Sequence, residues 1–155
     1  MKLRGSPKSR DTVMSESRSE LFRRRFSDGV ARFNDQRFWD AHESWEEIWL
    51  EAQSETHLFL QGLIQIAAAY HHIQRGTYSG AIRLIAAGTA KLEPFPADHC
   101  GLDRAEAILR ATEHGLRLTG ILERGGAVLP TDVPASELPR LRLHDRWDLA
   151  IPEHW

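Results

Sequence analysis

Residues 58–73 have the sequence LFLQGLIQIAAAYHHI, and this stretch decides the fold. It is apolar around most of the circumference of a helix, which is typical of a helix at the centre of a domain. Ser54 is predicted to cap this helix at its start. Arg75-Gly76 has the cationic last turn and the following glycine that commonly end a helix. The sequence therefore predicts a central helix from about Ser54 to Arg75.

Other segments have apolar residues at the three- and four-residue spacing of amphipathic helices. Helices are predicted over residues 20–33, 36–52, 78–92 and 102–122. Asn34-Asp35 is predicted to form the turn and the N-cap before the second of these helices. The linkers are short, and no strand pattern is convincing. The sequence therefore predicts an all-α fold, an antiparallel helical bundle of about five helices.

The two ends of the chain differ in composition from this bundle, which is predicted to span residues 19–125. Residues 1–18 are rich in serine and basic residues and have almost nothing to bury, so a disordered N-terminal tail is expected. Residues 126–155 contain too many prolines for a long helix: Pro130, Pro134, Pro139 and Pro152. Their leucines and Trp147 predict an extended, Pro-rich C-terminal segment that packs back on the bundle.

Length and composition limit the classes of protein to consider. A chain of 155 residues is long enough for one well-filled core and too short for two ordinary domains. A net charge of -2 gives no basic field of the kind that binds nucleic acid, and no apolar run is long enough for a signal peptide core or a membrane span. Cys100 is the single cysteine, which favours the reducing cytoplasm.

Polar residues on two neighbouring predicted helices form the candidate site. His42 and Glu46 are four residues apart and can touch on one helical face. The next helix has a polar stripe, which we define as Gln61, Gln65 and His72, within about 40° of one another at about 3.6 residues per turn. A buried polar group without a partner costs about 1–3 kcal/mol, so the preceding helix is expected to supply partners for this stripe.

Three interpretations of these residues stay open. The first is a structural hydrogen-bond network that fixes the register of the two helices. The second is a small-ligand pocket. Its lining is predicted to include His42, Glu46, Gln61, Gln65 and His72, with Trp45 as a wall and Arg75 at the edge. The third is a divalent metal site with His42, Glu46 and His72 as ligands.

Several known site types are excluded by residue identity. A zinc-peptidase His-Glu-x-x-His motif would need histidine at Glu46, and the Glu-x-x-His motif of di-iron bundles would need glutamate at Trp39. Glycine-rich phosphate loops are absent from the sequence. No cofactor is predicted, and a divalent metal remains an alternative only. His71 lies on a different helical face from the polar stripe and is interpreted as an ordinary packed histidine.

The sequence also resembles a known family through a series of ordered motifs. These motifs are Phe33-Asn34, Phe38-Trp39-Asp40-Ala41-His42-Glu43-x-Trp45-Glu46, Phe59-Leu60-Gln61-Gly62-Leu63-Ile64-Gln65, His71-His72, Arg75-Gly76 and Gly80-Ala81-x-x-Leu84. They are similar to those of the helical family catalogued as domain of unknown function 309. The resemblance implies an all-α bundle with the His42–Glu46 segment on an inner helix, and it implies no activity. Gln36 and Thr77 depart from the usual Gly and Asn of the family.

The leading hypothesis is a cytoplasmic helical protein with a small polar pocket between the second and third helices. Its ligand would be an unidentified small molecule. The alternative is an adaptor or assembly module, in which the polar stripe is purely structural and a protein partner binds the fourth helix, the fifth helix or the Pro-rich segment. A metal-dependent hydrolase is a second alternative.

Overall fold

A computed structural model of the chain describes residues 16–155. Five α-helices lie in this range, and consecutive helices pack against each other. They are α1 Arg18–Asn34, α2 Phe38–Trp49, α3 Ser54–Gln74, α4 Tyr78–Leu92 and α5 Ala105–Glu123. The predicted all-α bundle is confirmed. Within residues 16–155, no helix is both long enough and apolar enough to cross a membrane.

The helix ends differ from the prediction where local backbone geometry decides them. Helix α1 begins at Arg18, because Ser17 and Glu20 form a capping box in front of it. Helix α2 begins at Phe38 rather than at residue 36, since Gln36 has a positive φ of 64°, outside the right-handed helical region. Ser54 is the first residue of α3 and not its cap, which is Gln53.

Aromatic residues of the first three helices fill the core. Phe33 and Phe38 meet edge to face with ring centroids 5.0 Å apart, and Phe38 also packs against Tyr70 of α3 at 5.3 Å. Trp45 is fully buried, and its indole N–H donates to the Phe26 carbonyl at 3.2 Å. Each such ring can bury about 150–250 Å² of surface.

The C-terminal residues pack on the bundle through short elements. Strand β1, Leu102–Asp103, pairs antiparallel with β2, Arg142–Leu143, a short ladder that the sequence pattern did not predict. Trp155 is buried, 4.9 Å from the Phe22 ring of α1. The division of the chain at residues 18 and 125 stays a prediction, and residues 1–15 of the expected tail lie outside the described range.

Asn34 joins α1 to the C-terminal segment, and it does not cap α2 as predicted. It is the last residue of α1, and its side-chain amide donates to the Leu141 carbonyl while its oxygen accepts from the Leu141 N–H, both at 2.7 Å. The amide thus imitates the pairing of a neighbouring strand. Because Leu141 is buried, this pair satisfies two backbone groups that would otherwise be desolvated without partners.

Asn34→Ala is expected to lower the free energy of unfolding by about 1–3 kcal/mol, because both backbone groups of Leu141 lose their partner. Asn34→Asp keeps the acceptor for the N–H and loses the donor, so its effect is expected to be smaller. Chemical denaturation measures the loss, and amide hydrogen exchange locates it. An unchanged exchange rate at Leu141 in Asn34→Ala would contradict the predicted role of this side chain.

Candidate functional site

Two of the three predicted site residues of α2, His42 and Glu46, are in contact. The Nε2 atom of His42 lies 3.4 Å from a carboxylate oxygen of Glu46, one helical turn further along. The His42 side chain is 16% exposed, whereas the Glu46 side chain is 45% exposed. The pair therefore lies at the edge of the α2–α3 interface, with the imidazole inside and the carboxylate at the surface.

Two further aromatic rings complete this site. The Trp39 indole stacks on the His42 imidazole, with centroids 4.5 Å apart and an angle of 9° between the rings. The His71 ring of α3 lies 4.9 Å from Trp39 at 39°. We call Trp39, His42, Glu46 and His71 the Trp39 cluster. Its indole is 46% exposed, so an aromatic surface faces solvent next to the polar groups.

The electrostatics of the cluster favour neutral imidazole at His71. Burial lowers the pKa of His71, and the positive charge of Arg75 one turn later lowers it further, with smaller effects of His72 and His42. Arg75 itself is exposed at the end of α3. His71 thus provides one hydrogen-bond donor and one acceptor at neutral pH, since a neutral imidazole has both.

The polar stripe is only partly where we predicted it. Gln61, Gln65 and His72 are half-buried along one side of α3. A methyl group added at Gly80 would lie 3.8 Å from the His72 ring, so His72 packs against α4 rather than against α2. His71, which we interpreted as an ordinary packed histidine, takes the place next to α2 that we assigned to His72.

Three buried polar atoms of this region have no hydrogen-bond partner among residues 16–155. They are Nδ1 of His42, Oε1 of Gln65 and Nδ1 of His72. An unsatisfied buried group of this kind costs about 1–3 kcal/mol, so each of these atoms needs a partner such as an ordered water molecule.

Trp45 is not part of the site. The prediction made it a pocket wall, but its side chain packs against α1, where its indole N–H donates to the Phe26 carbonyl. A Cβ atom at Gly29 would overlap the Trp45 indole, so this glycine makes the space that the ring occupies. The periodicity correctly predicted burial of Trp45 and did not reveal which neighbour buries it.

The His42–Glu46 pair has only one imidazole nitrogen at the surface. A carboxylate that holds one imidazole nitrogen leaves the other free to act as a base, as in catalytic dyads. In this site the other nitrogen, Nδ1 of His42, is buried inside the protein and is not presented to a substrate.

Among residues 16–155, no group of three or more His, Cys, Asp or Glu side chains is placed to hold a metal ion. The predicted ligands His42, Glu46 and His72 therefore do not form such a group.

A second buried polar cluster was missed in the sequence. The hydroxyl of Tyr70 lies 2.6 Å from Nδ1 of the fully buried His114. On the other side of the ring, Nε2 of His114 lies 3.3 Å from the Glu137 carboxylate. Arg117 also donates to this carboxylate, at 2.9 Å. Burial lowers the pKa of His114, and burial raises the pKa of Tyr70. A neutral imidazole with its proton on Nε2 satisfies both contacts. Because the Tyr70 side chain has no exposure, this cluster is structural.

A signal for this second cluster is present in the sequence. His114 lies on the buried side of α5 with Ala107, Ala111 and Leu118, at the spacing of a helical core position. A histidine at such a position needs hydrogen-bond partners. His71, in contrast, differs from His72 by one residue, and the sequence did not reveal on which side α2 packs.

Comparison with known proteins supports the family resemblance and names no activity. The model of the family described as a domain of unknown function (DUF309) matches residues 26–84, which confirms the resemblance predicted from the sequence. The matched range contains the whole Trp39 cluster. Neither the curated proteins nor the solved structures include a match to this chain.

Proposed function

We propose that this protein binds a small planar heteroaromatic molecule, and that the Trp39 cluster is its binding site. The observation that carries the proposal is the half-exposed Trp39 indole, held in place by the His42 ring on α2 and the His71 ring on α3. A rigid exposed indole is a stacking surface for a planar ring. Its position is fixed before binding, so little conformational entropy is lost when a ligand stacks on it.

The polar groups around the indole define the ligand further. Glu46 is half-exposed and can accept hydrogen bonds, and the neutral His71 imidazole both donates and accepts. This mixture suits a ring that has both donors and acceptors at its edge, as nucleobases do. It suits a simple hydrocarbon or a strongly charged anion less well, because Glu46 repels anions.

Calorimetric titration with adenosine and uridine as planar probes, and with ribose as the matched probe without a base, tests the proposal. The nucleosides are expected to bind and ribose is not. Trp39→Ala is expected to weaken nucleoside binding about tenfold or more, because stacking of one base on an aromatic side chain contributes about 1–3 kcal/mol. Trp39→Phe, which keeps a ring, is expected to retain part of the affinity.

Leu50→Ala provides the control, since Leu50 is an exposed apolar residue that directly follows the same helix. Its affinity for the probes is expected to equal that of the unchanged protein. Nuclear magnetic resonance then locates the site through the ring C–H signals of His42 and His71. If the probes leave both signals unshifted, or if Trp39→Ala binds them as well as the unchanged protein, the proposal is wrong.

The adaptor interpretation ranks second. Helix α5 exposes Leu109 and Leu116, which are 60% and 71% accessible. Single exposed leucines are normal on protein surfaces, whereas a stacked and partly unpaired polar cluster is not.

The metal-dependent hydrolase ranks third, because no group of three metal-binding side chains lies among residues 16–155. We also propose a cytoplasmic location, which the free and buried Cys100 favours.

A further inference from the structure

A cavity between α4 and α5 lies apart from the Trp39 cluster. Its volume is about 530 Å³, within the range of small-molecule sites. Helix α4 contributes Thr89 and Ala90 to its lining, and α5 contributes Ala105, Ile108 and Thr112. Both threonine hydroxyls donate to carbonyls of their own helices, so the threonines add little free hydrogen-bonding capacity to the cavity. Its walls are therefore mainly apolar.

Arg104 is the exception in this lining. Its side chain is buried, with 6% of the residue exposed, and its two terminal nitrogens donate to backbone carbonyls. The acceptors, at 3.0 to 3.5 Å, are the carbonyls of Leu92, Phe95, Pro96 and Ala97. This places a cation on the carbonyl end of α4, where it also complements the helix dipole.

The charge of Arg104 is not neutralised by these contacts. Carbonyls accept hydrogen bonds without removing charge, and no carboxylate among residues 16–155 lies within 4.0 Å of its guanidinium. Asp98 and Asp103 are near enough to favour its charged form, but Asp103 is already paired with Arg142 at 3.2 Å. Burial lowers the pKa of Arg104, which reflects the cost of holding this charge away from water.

One donor of the guanidinium also remains available. The four hydrogen bonds use the Nη1 and Nη2 atoms, and within the described part of the chain Nε–H has no acceptor. The first N–H of α5, that of Ala105 in the same lining, already donates to the Asp103 carboxylate at 3.1 Å, so Arg104 is the main positive group of the cavity. Glu93 also lines the cavity, but it is exposed, so solvent screens its charge.

We infer that this cavity is a second binding site, for a small amphipathic monocarboxylate whose carboxylate pairs with Arg104 and whose apolar chain lies between α4 and α5. An apolar space with one uncompensated cation matches a molecule that has an apolar chain and a single negative charge. A buried charge pair of this kind is favourable only when both partners are present, so an uncharged molecule of the same shape binds less well.

Three probes that share one chain length test this inference in calorimetric titrations: octanoate, 1-octanol and octylamine. Octanoate is expected to bind at one saturable site and at least about tenfold more tightly than 1-octanol, the change expected for one hydrogen bond between charged groups. Octylamine is expected to bind most weakly, because Arg104 repels it. Absence of saturable octanoate binding, or equal affinity for octanoate and octylamine, would overturn the inference.

The location is tested by filling the cavity. Ala90→Leu and Ala105→Leu add volume from the two sides, at exposed positions that do not touch the hydrogen bonds of Arg104, and each is expected to reduce octanoate affinity about tenfold or more. Ala86→Leu, an exposed alanine one turn earlier on α4 and outside the lining, is the control and should leave binding unchanged. Arg104→Gln tests the charge directly. Should Arg104→Gln fail to fold, the filling variants still decide, because octanoate affinity equal in Ala90→Leu and Ala86→Leu refutes the site.

Discussion

Replacement of Trp45 by alanine is expected to lower the free energy of unfolding by about 3–5 kcal/mol. The side chain is fully buried between α1 and α2, and its indole N–H donates to the Phe26 carbonyl. Truncation removes both the buried ring and this hydrogen bond, and it leaves a cavity that Gly29 cannot fill. Small domains have a total stability of about 5–15 kcal/mol, so this one change removes a large fraction of it.

Trp39→Ala is the matched control, because it removes the same side chain from the same helix at a position that is 46% exposed. Its loss of stability is expected to be no more than about 1 kcal/mol. Urea denaturation followed by circular dichroism measures both variants. A Trp45→Ala variant no less stable than Trp39→Ala would contradict the packing of Trp45. Gly29→Ala tests the same contact from α1, since its Cβ atom would overlap the indole.

These two tryptophans show how far the sequence predicts the fold. The spacing of apolar residues correctly predicted the helices and the burial of Trp45, because this spacing depends only on residues within one helix. It did not give the partner of Trp45, since that depends on which helix presents a glycine opposite the ring. Gly29 makes that space, and a glycine inside a helix does not reveal from sequence which ring it accommodates.

The candidate site was predicted in part for the same reason. His42 and Glu46 are neighbours within one helix, so their contact follows from spacing alone. The choice between His71 and His72 depends on the direction from which α2 packs, and one residue changes the direction of a side chain by about 100°. The burial of Arg104 could not be predicted from the sequence, because its hydrogen-bond acceptors are backbone carbonyls, which every residue has.

The stability of the protein is expected to fall as the pH is lowered from 7.5 to 5.5, and His114 is expected to be a main cause. Burial lowers its pKa in the folded protein below the ordinary value of 6.5. As the pH falls through that ordinary value, the unfolded chain takes up a proton at this residue and the folded chain does not. Stability therefore decreases, by up to about 1.4 kcal/mol per pH unit for each such histidine. The pKa values of His71 and His99 are lowered in the same direction and add to the slope.

His114→Gln isolates the contribution of His114. A glutamine can accept from the Tyr70 hydroxyl and donate to Glu137, as the neutral imidazole does, but it cannot take up a proton. At pH 7.5 we expect this variant to be less stable than the unchanged protein, because its shape fits the buried site less well. Between pH 7.5 and 5.5 we expect a shallower decrease, measured by urea denaturation at each pH.

The charged groups near His114 leave this expectation intact. The pKa of Glu137 is lowered below 4.5, mainly by its hydrogen bond with Arg117, so its own titration lies below the pH range considered. The positive charges of Arg117 and Arg110 oppose protonation of the imidazole. His154→Gln, which removes an exposed histidine, is the control and should retain the full slope. Equal slopes in His114→Gln and the unchanged protein would show that the buried imidazole takes up its proton without unfolding.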